Sequence, residues 1–329
     1  MAPPTPALSN LVHTLSGHKG PVNSAVYNSG ASYVLTAGQD RTIKLWNPVK
    51  GTLVKTYAGH GYEVLGLDCT HDNSRFASCG GDRSVFVWDV ASGELIRRLS
   101  GHMAKVNAVA FNQDASILAS GSFDSTVRLW DIKYVGSLVE LLLLDRSRSK
   151  LTLGHHDRSQ NRIPLQVLED ARDSITSICI RNHLISVGSV DGHVRTYDLR
   201  MGELRADYFD HPVTSISISN DSAMLLVTSL DSTIRNLDLD TGVMFTKYQG
   251  HKNESYRSPS SFGKDERTVV MGDEEGKVYT WDVETGKQLG SGFRAHERAI
   301  LWTAHHPKQD ELVTASADAT VKIWGGRRG

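Results

Sequence analysis

Seven segments of this chain are variants of one pattern: "DRTIKLWN" (40–47), "DRSVFVWD" (82–89), "DSTVRLWD" (124–131), "DGHVRTYD" (191–198), "DSTIRNLD" (231–238), "EGKVYTWD" (275–282) and "DATVKIWG" (318–325). Their anchors, Trp46, Trp88, Trp130, Tyr197, Leu237, Trp281 and Trp324, are separated by 42, 42, 67, 40, 44 and 43 residues. A period near 42 is too long for one helix or hairpin and too short for a domain, so each unit must stack on its neighbours to bury its apolar face. Between anchors lie short alternating runs such as "VNAVAF", "ILASGS" and "TVRLWD". Alternation of this kind, punctuated by Gly, Asp and Asn, predicts four short antiparallel strands per unit.

A histidine recurs upstream of most anchors, usually after Gly: Gly17-His18, Gly59-His60, Gly101-His102, Asp210-His211, Gly250-His251 and Ala295-His296. A Gly-His to Trp-Asp repeat of this length resembles the WD-repeat family, whose units are blades of a β-propeller. The resemblance implies an all-β, seven-bladed ring. An open ring would expose two sheet edges. The last unit ends at Trp324 with only "GGRRG" behind it, so its fourth strand is missing. The segment "LVHTLSGH" (11–18) stands where outer strands precede the second and third histidines, and is expected to supply that strand. The expected organisation is a flexible 1–10 followed by a single propeller over 11–329.

Six of the 14 histidines sit on repeat positions, which could suggest catalytic dyads. The spacing argues for structure instead. Four units carry a fixed set: His18, Thr36, Asp40 and Trp46; His60, Ser78, Asp82 and Trp88; His102, Ser120, Asp124 and Trp130; His296, Thr314, Asp318 and Trp324. In the family such residues form a buried chain in which Asp accepts from His and turn amides while the hydroxyl links His to the indole. That arrangement would satisfy polar groups that burial otherwise penalises. Units four to six hold Val187, Val227 and Met271 at the hydroxyl position and are expected to lean on apolar packing.

Lys plus Arg (36) nearly balances Asp plus Glu (37), so no global field drives the chain onto nucleic acid or an acidic membrane. Direct sequence-specific nucleic-acid binding is therefore not expected. Cys69, Cys79 and Cys179 form an odd set without ligand spacing, which suits a reducing compartment. "MAPPTPALSN" has neither a basic start nor an apolar run, so no signal peptide is read there. No phosphate-cradling Gly loop, nucleophile elbow or Cys/His cluster stands outside the repeats, and no catalytic residue, cofactor or metal is expected.

The interval from Trp130 to Tyr197 exceeds the regular one by 25 residues. Removing 134–158 restores the period and brings "PLQVL" into register as an outer strand. The stretch "VGSLVELLLL" is far short of the roughly 18 apolar residues a membrane span needs and contains Glu140. Two readings stay open. One is a grafted partner-binding helix. The other is a retained intron, since Lys133-Tyr134-Val135 can be encoded with GTATGT and Asp157-Arg158 with a closing CAG, and 25 codons preserve frame. The His155-His156 pair has no third ligand at metal spacing.

Beyond the repeat, "GHGYEV" (59–64), "YDLRMG" (197–202) and "GHKNESY" (250–256) are similar to one branch of the family, the mitogen-activated protein kinase organizers. This resemblance implies a scaffold associated with the spliceosome in pre-messenger RNA splicing, and in animal relatives with a kinase cascade. It would be nuclear and cytoplasmic, and monomeric within larger complexes. An alternative is an adaptor presenting substrates to a cullin-type ubiquitin ligase, because "ISVGSVDGHVRTYDLR" (185–200) approaches the family's docking box ending in Asp198 and Arg200. Loops entering each first strand, with the hairpins between second and third strands, would present Lys19, Arg41, Tyr62, Glu63, Arg83, Lys105 and Phe123 to protein partners.

Overall fold

Every anchor closes the third strand of a four-stranded antiparallel sheet, and there are seven such sheets among the described residues. The structure, a computed structural model, describes residues 8–133 and 163–325. The interval 134–158, with its two open readings and the His155-His156 pair, lies outside the described residues, as do residues 1–7. Blades one to six span 22–58, 64–100, 106–168, 175–208, 213–248 and 260–294. Blade seven comprises Ile300–His305, Glu311–Ser316 and Thr320–Gly325, and its outer strand is Asn10–Ser16. That N-terminal strand starts at Asn10, one residue before the expected boundary, and pairs Leu11 with Trp324 and Leu15 with Val321. The ring is thus a seven-bladed all-β propeller closed by a strand from each end of the chain. Blade three takes Gln166–Leu168 as its outer strand, with Leu168 opposite Val127.

Seven apolar cores hold the ring, one at each junction between blades. Blade seven meets blade one through Val313, Ile323, Val22 and Trp46, and blade two meets blade three through Val85, Val87, Leu118 and Trp130. Each anchor packs toward the preceding blade. Tyr197 does so against blade three and Leu237 against blade four, so an aromatic ring is dispensable at this position while apolar volume is not. Strand alternation explains the placement, because one side of each twisted sheet faces one neighbour and the other side faces the next.

In six blades the pairing of first and second strands shifts register at the second residue, as between Val22 and Ser24 or Val106 and Ala108. A bulge there turns a side chain out of its own ladder. At three junctions that side chain reaches the next blade: Asn23 Nδ2 donates to Val64 O (2.9 Å), Asn107 Nδ2 to Ile175 O (2.7 Å) and Thr176 Oγ1 to Val213 O (2.8 Å). The innermost strands are therefore stitched together as well as packed.

Candidate functional site

Antiparallel order puts two sets of connections on one face of the ring: the loops entering each first strand and the hairpins joining second to third strands. What makes these loops a usable surface is the polar chain beneath them. In blade three, His102 Nδ1 donates to Asp124 (2.9 Å), the Ser120 hydroxyl bridges His102 Nε2 (2.8 Å), and Trp130 Nε1 donates to Ser120 Oγ (2.8 Å). The same chain joins His18, Thr36, Asp40 and Trp46, then His60, Ser78, Asp82 and Trp88, then His296, Thr314, Asp318 and Trp324, with every link between 2.7 and 3.1 Å. The pattern is consistent with an imidazole protonated at Nδ1, to whose Nε2 the hydroxyl donates while accepting the indole N–H. Burial lowers the pKa of His18 and His296 despite the adjacent carboxylates, which agrees with that assignment. It also opposes charge on Asp40, Asp82, Asp124 and Asp318, but the donors around each outweigh it and hold all four below the usual carboxylate range. Gly precedes His for a steric reason: a Cβ at Gly59 would lie 2.9 Å from the Trp88 ring.

The carboxylates also reach the loops. Asp40 accepts the Lys19 amide (3.0 Å), Asp82 that of Gly61 (3.2 Å) and Asp124 that of Met103 (2.8 Å), so each entry loop is tied to the hairpin beside it. Lys19, Arg41, Tyr62, Arg83, Lys105 and Phe123 are exposed on this face, whereas Glu63 is half-buried against Gly81. Tyr62 is 60% exposed, Phe123 54% and Met103 77%, values far above those of chance-buried apolar side chains and usable as anchors for a partner. Lys105 Nζ lies 5.1 Å from the Phe123 ring and its carbonyl accepts the Phe123 amide at 2.9 Å. Met103 and the exposed Tyr256 escaped the sequence reading. The signal for Met103 was its position directly after a Gly-His pair. Arg41 and Arg83 follow the tetrad aspartates at φ of 66° and 60°, so the hairpin backbone dictates where they project.

Asp198 and Arg200 sit on the opposite face, in the turn joining third to fourth strand of blade four. Asp198 Oδ1 accepts the amides of Arg200 (2.7 Å) and Met201 (3.1 Å), and its carboxylate lies 3.4 Å from His183. Asp89, Asp238 and Asp282 cap the equivalent turns in the same way, so Asp198 has a local structural task while the Arg200 side chain is exposed.

Blades four to six, expected to lean on apolar packing, carry polar contacts of their own as well. In blade four, Arg195 donates to Ser189 Oγ (2.8 Å) and to both oxygens of Asp191 (3.2 and 2.8 Å). Blade five repeats the set with Arg235, Ser229 and Asp231 at 2.6, 3.3 and 2.5 Å. The histidine of the entry loop is not used: His211 stays exposed, while His193, next to the turn in blade four, places Nδ1 3.3 Å from Asp191 Oδ1. A guanidinium from the third strand takes the place of the imidazole because it pairs with the turn carboxylate two-pronged. In blade six the Trp281 indole donates instead to Gln249 O (2.9 Å). His251 is buried against that indole, and desolvation lowers its pKa to about 4, so it is neutral.

A rigid ring, exposed aromatics on pinned loops and a repeating His, hydroxyl, Asp and Trp chain describe one kind of protein. A WD domain, G-beta repeat model matches residues 9–47, 51–89, 93–131, 202–236 and 286–325, together over half the chain. The chain belongs to the WD-repeat family. Long parts of blades four and six fall outside the matched segments of this WD-repeat ring, and these two blades lack the His to Trp chain. Among its relatives, an uncharacterized WD repeat-containing protein of Schizosaccharomyces pombe is 43% identical over 167 residues, 51% of this chain and 56% of that protein. WD repeat domain-containing protein 83 of Rattus norvegicus is 40% identical over 51% of this chain and 52% of its own, and the Homo sapiens protein of that name 41% over 49% and 50%. The chain spans about half the length of the curated relatives it matches. As a WD-repeat propeller it is a protein-interaction module.

Proposed function

We propose that this ring is a non-enzymatic scaffold that brings proteins together during pre-messenger RNA splicing, in nucleus and cytoplasm, and that its partners dock on the face bearing Tyr62, Met103, Lys105 and Phe123. The observation that carries the docking face is the exposure of these apolar side chains on loops pinned by buried carboxylates. A rigid loop presents an aromatic anchor with little ordering cost on association. The balanced charge, 36 basic against 37 acidic residues, supports joining a ribonucleoprotein through proteins rather than RNA. The splicing assignment is supported by the motifs shared with the kinase-organizer branch and by relatives named WD repeat domain-containing protein 83. A kinase cascade is the second client class on the same scaffold.

The test is quantitative affinity purification of the tagged chain beside a Tyr62→Ala/Phe123→Ala variant and an Arg200→Glu variant. Splicing factors should copurify with wild type and Arg200→Glu, and be depleted by the double variant at a cost of about 2–4 kcal/mol. Recovery of a cullin-ligase adaptor in their place, lost on Arg200→Glu alone, would move the function to the opposite face.

A further inference from the structure

The axis of the ring is a cavity of about 430 Å³ lined by the first strands of the blades. Blade six has the shortest first strand, Ser260–Phe262, and the residues before it carry Arg257 into this cavity. From there Arg257 spans the axis: its Nη1 donates to Asn107 O of blade three at 2.7 Å. Its guanidinium also lies 5.8 Å from the Trp302 ring of blade seven. Those are its polar and ring contacts among the described residues, and no carboxylate lies within ion-pair distance. Asp68, the acid on the same wall, is turned to the amides of Phe111 (2.7 Å) and Cys69 (2.9 Å).

Among the described residues, the buried donors without a partner on the cavity wall include Arg257 Nε, Trp302 Nε1 and Ser261 Oγ, with Tyr27 Oη and Ser177 Oγ elsewhere on the lining. An enclosed cation without a counter-charge is costly, and buried charges in folded proteins are normally paired. With Nη1 committed to Asn107, the Nε and Nη2 edge remains, and that edge is the fork that fits two oxygens of one anion. Burial lowers the Arg257 pKa only to about 10, so the charge persists at neutral pH.

We propose that the central cavity is an oxyanion site, in which a carboxylate or phosphate group sits on the Nε/Nη2 edge of Arg257, with the Trp302 indole and Ser261 hydroxyl as neighbouring donors. The group belongs either to a small anion or to a peptide side chain entering from the loop face.

Thermal unfolding of the full chain at constant ionic strength tests this, with inorganic phosphate, citrate or an N-acetylated Gly-Glu-Gly amide as probe. A ligand bound by the folded state raises Tm with its concentration, whereas general salting-out by phosphate acts on any variant. The expected result is a concentration-dependent rise in wild type that Arg257→Gln loses, with apparent affinity down about tenfold or more. Trp302→Phe should weaken it less. Without probe, Arg257→Gln should unfold at or above the wild-type temperature, because it removes an unpaired cation. Response to the peptide alone places the anion on a protein side chain, and response to phosphate or citrate on a small molecule; both require Arg257. A wild type indifferent to all three probes, or an Arg257→Gln protein that responds equally, overturns the proposal.

Discussion

Asp124→Ala isolates the load on the blade-three network. The carboxylate accepts four donors: His102 Nδ1 at 2.9 Å, the Met103 amide at 2.8 Å, the Thr126 amide at 3.0 Å and the Thr126 hydroxyl at 2.6 Å. Removal affects them unequally. Met103 is exposed, so water can replace its acceptor, but the His102 side chain is only 1% exposed. Thr126 Oγ1, already 3.3 Å from Nδ1, offers partial relief. One stranded buried donor costs about 1–3 kcal/mol, and a middle value near 2 kcal/mol corresponds to about a 30-fold shift in the folding equilibrium. At roughly 2 °C per kcal/mol for a large domain, Tm falls by about 4 °C.

Urea unfolding would be followed by Trp fluorescence beside Asp114→Ala, whose side chain is 60% exposed, caps Ser116 and makes one exposed ion pair with Lys133 at 3.8 Å. The pH dependence has a definite sign. Because the folded-state pKa of Asp124 is depressed, its contribution is present above the unfolded value of about 3.9 and lost as pH falls through the folded one. The gap between wild type and Asp124→Ala should be constant from about pH 5 to 7 and shrink below about pH 4. Equal midpoints for the two variants, or a gap that widens in acid, would refute the reasoning.

Asp191→Ala should cost about 3–5 kcal/mol in chemical denaturation, since it leaves the Arg195 guanidinium, 5% exposed as a residue, without its counter-charge; Asp191→Ala/Arg195→Met should recover most of that loss. Ala319→Gly should raise stability by about 0.5–1 kcal/mol, read as a higher Tm, because Ala319 holds φ at 69° where a Cβ is disfavoured. Deleting residues 1–16 removes the strand paired with Thr320–Gly325 and bares that edge, so light scattering should show oligomers, and a peptide of residues 8–18 added in trans should restore the monomer.

The ring was legible in the sequence because its polar chain tolerates little variation. His, hydroxyl, Asp and Trp come from an entry loop, the second strand, the hairpin after it and the third strand, so each hydrogen bond demands fixed counts between them, and those counts survive as a readable period. The third-blade outer strand was legible for the same reason, since only "PLQVL" restores the count. The charged networks of blades four and five were also written in the chain, as Ser189, Asp191 and Arg195 and again as Ser229, Asp231 and Arg235, two and four residues apart in both. That pattern alone does not decide which partner the Asp takes. Ser122, Asp124 and Arg128 repeat it in blade three, yet there His102 occupies the carboxylate, and Arg128 Nε stays buried without a partner. The deciding residue is the histidine 22 positions upstream of the Asp: where the entry loop delivers it, imidazole takes the site; where it does not, guanidinium folds back to it. Arg257 had no such pattern to announce it. It reaches Asn107 across 150 residues of chain, a contact that only closure of the ring creates.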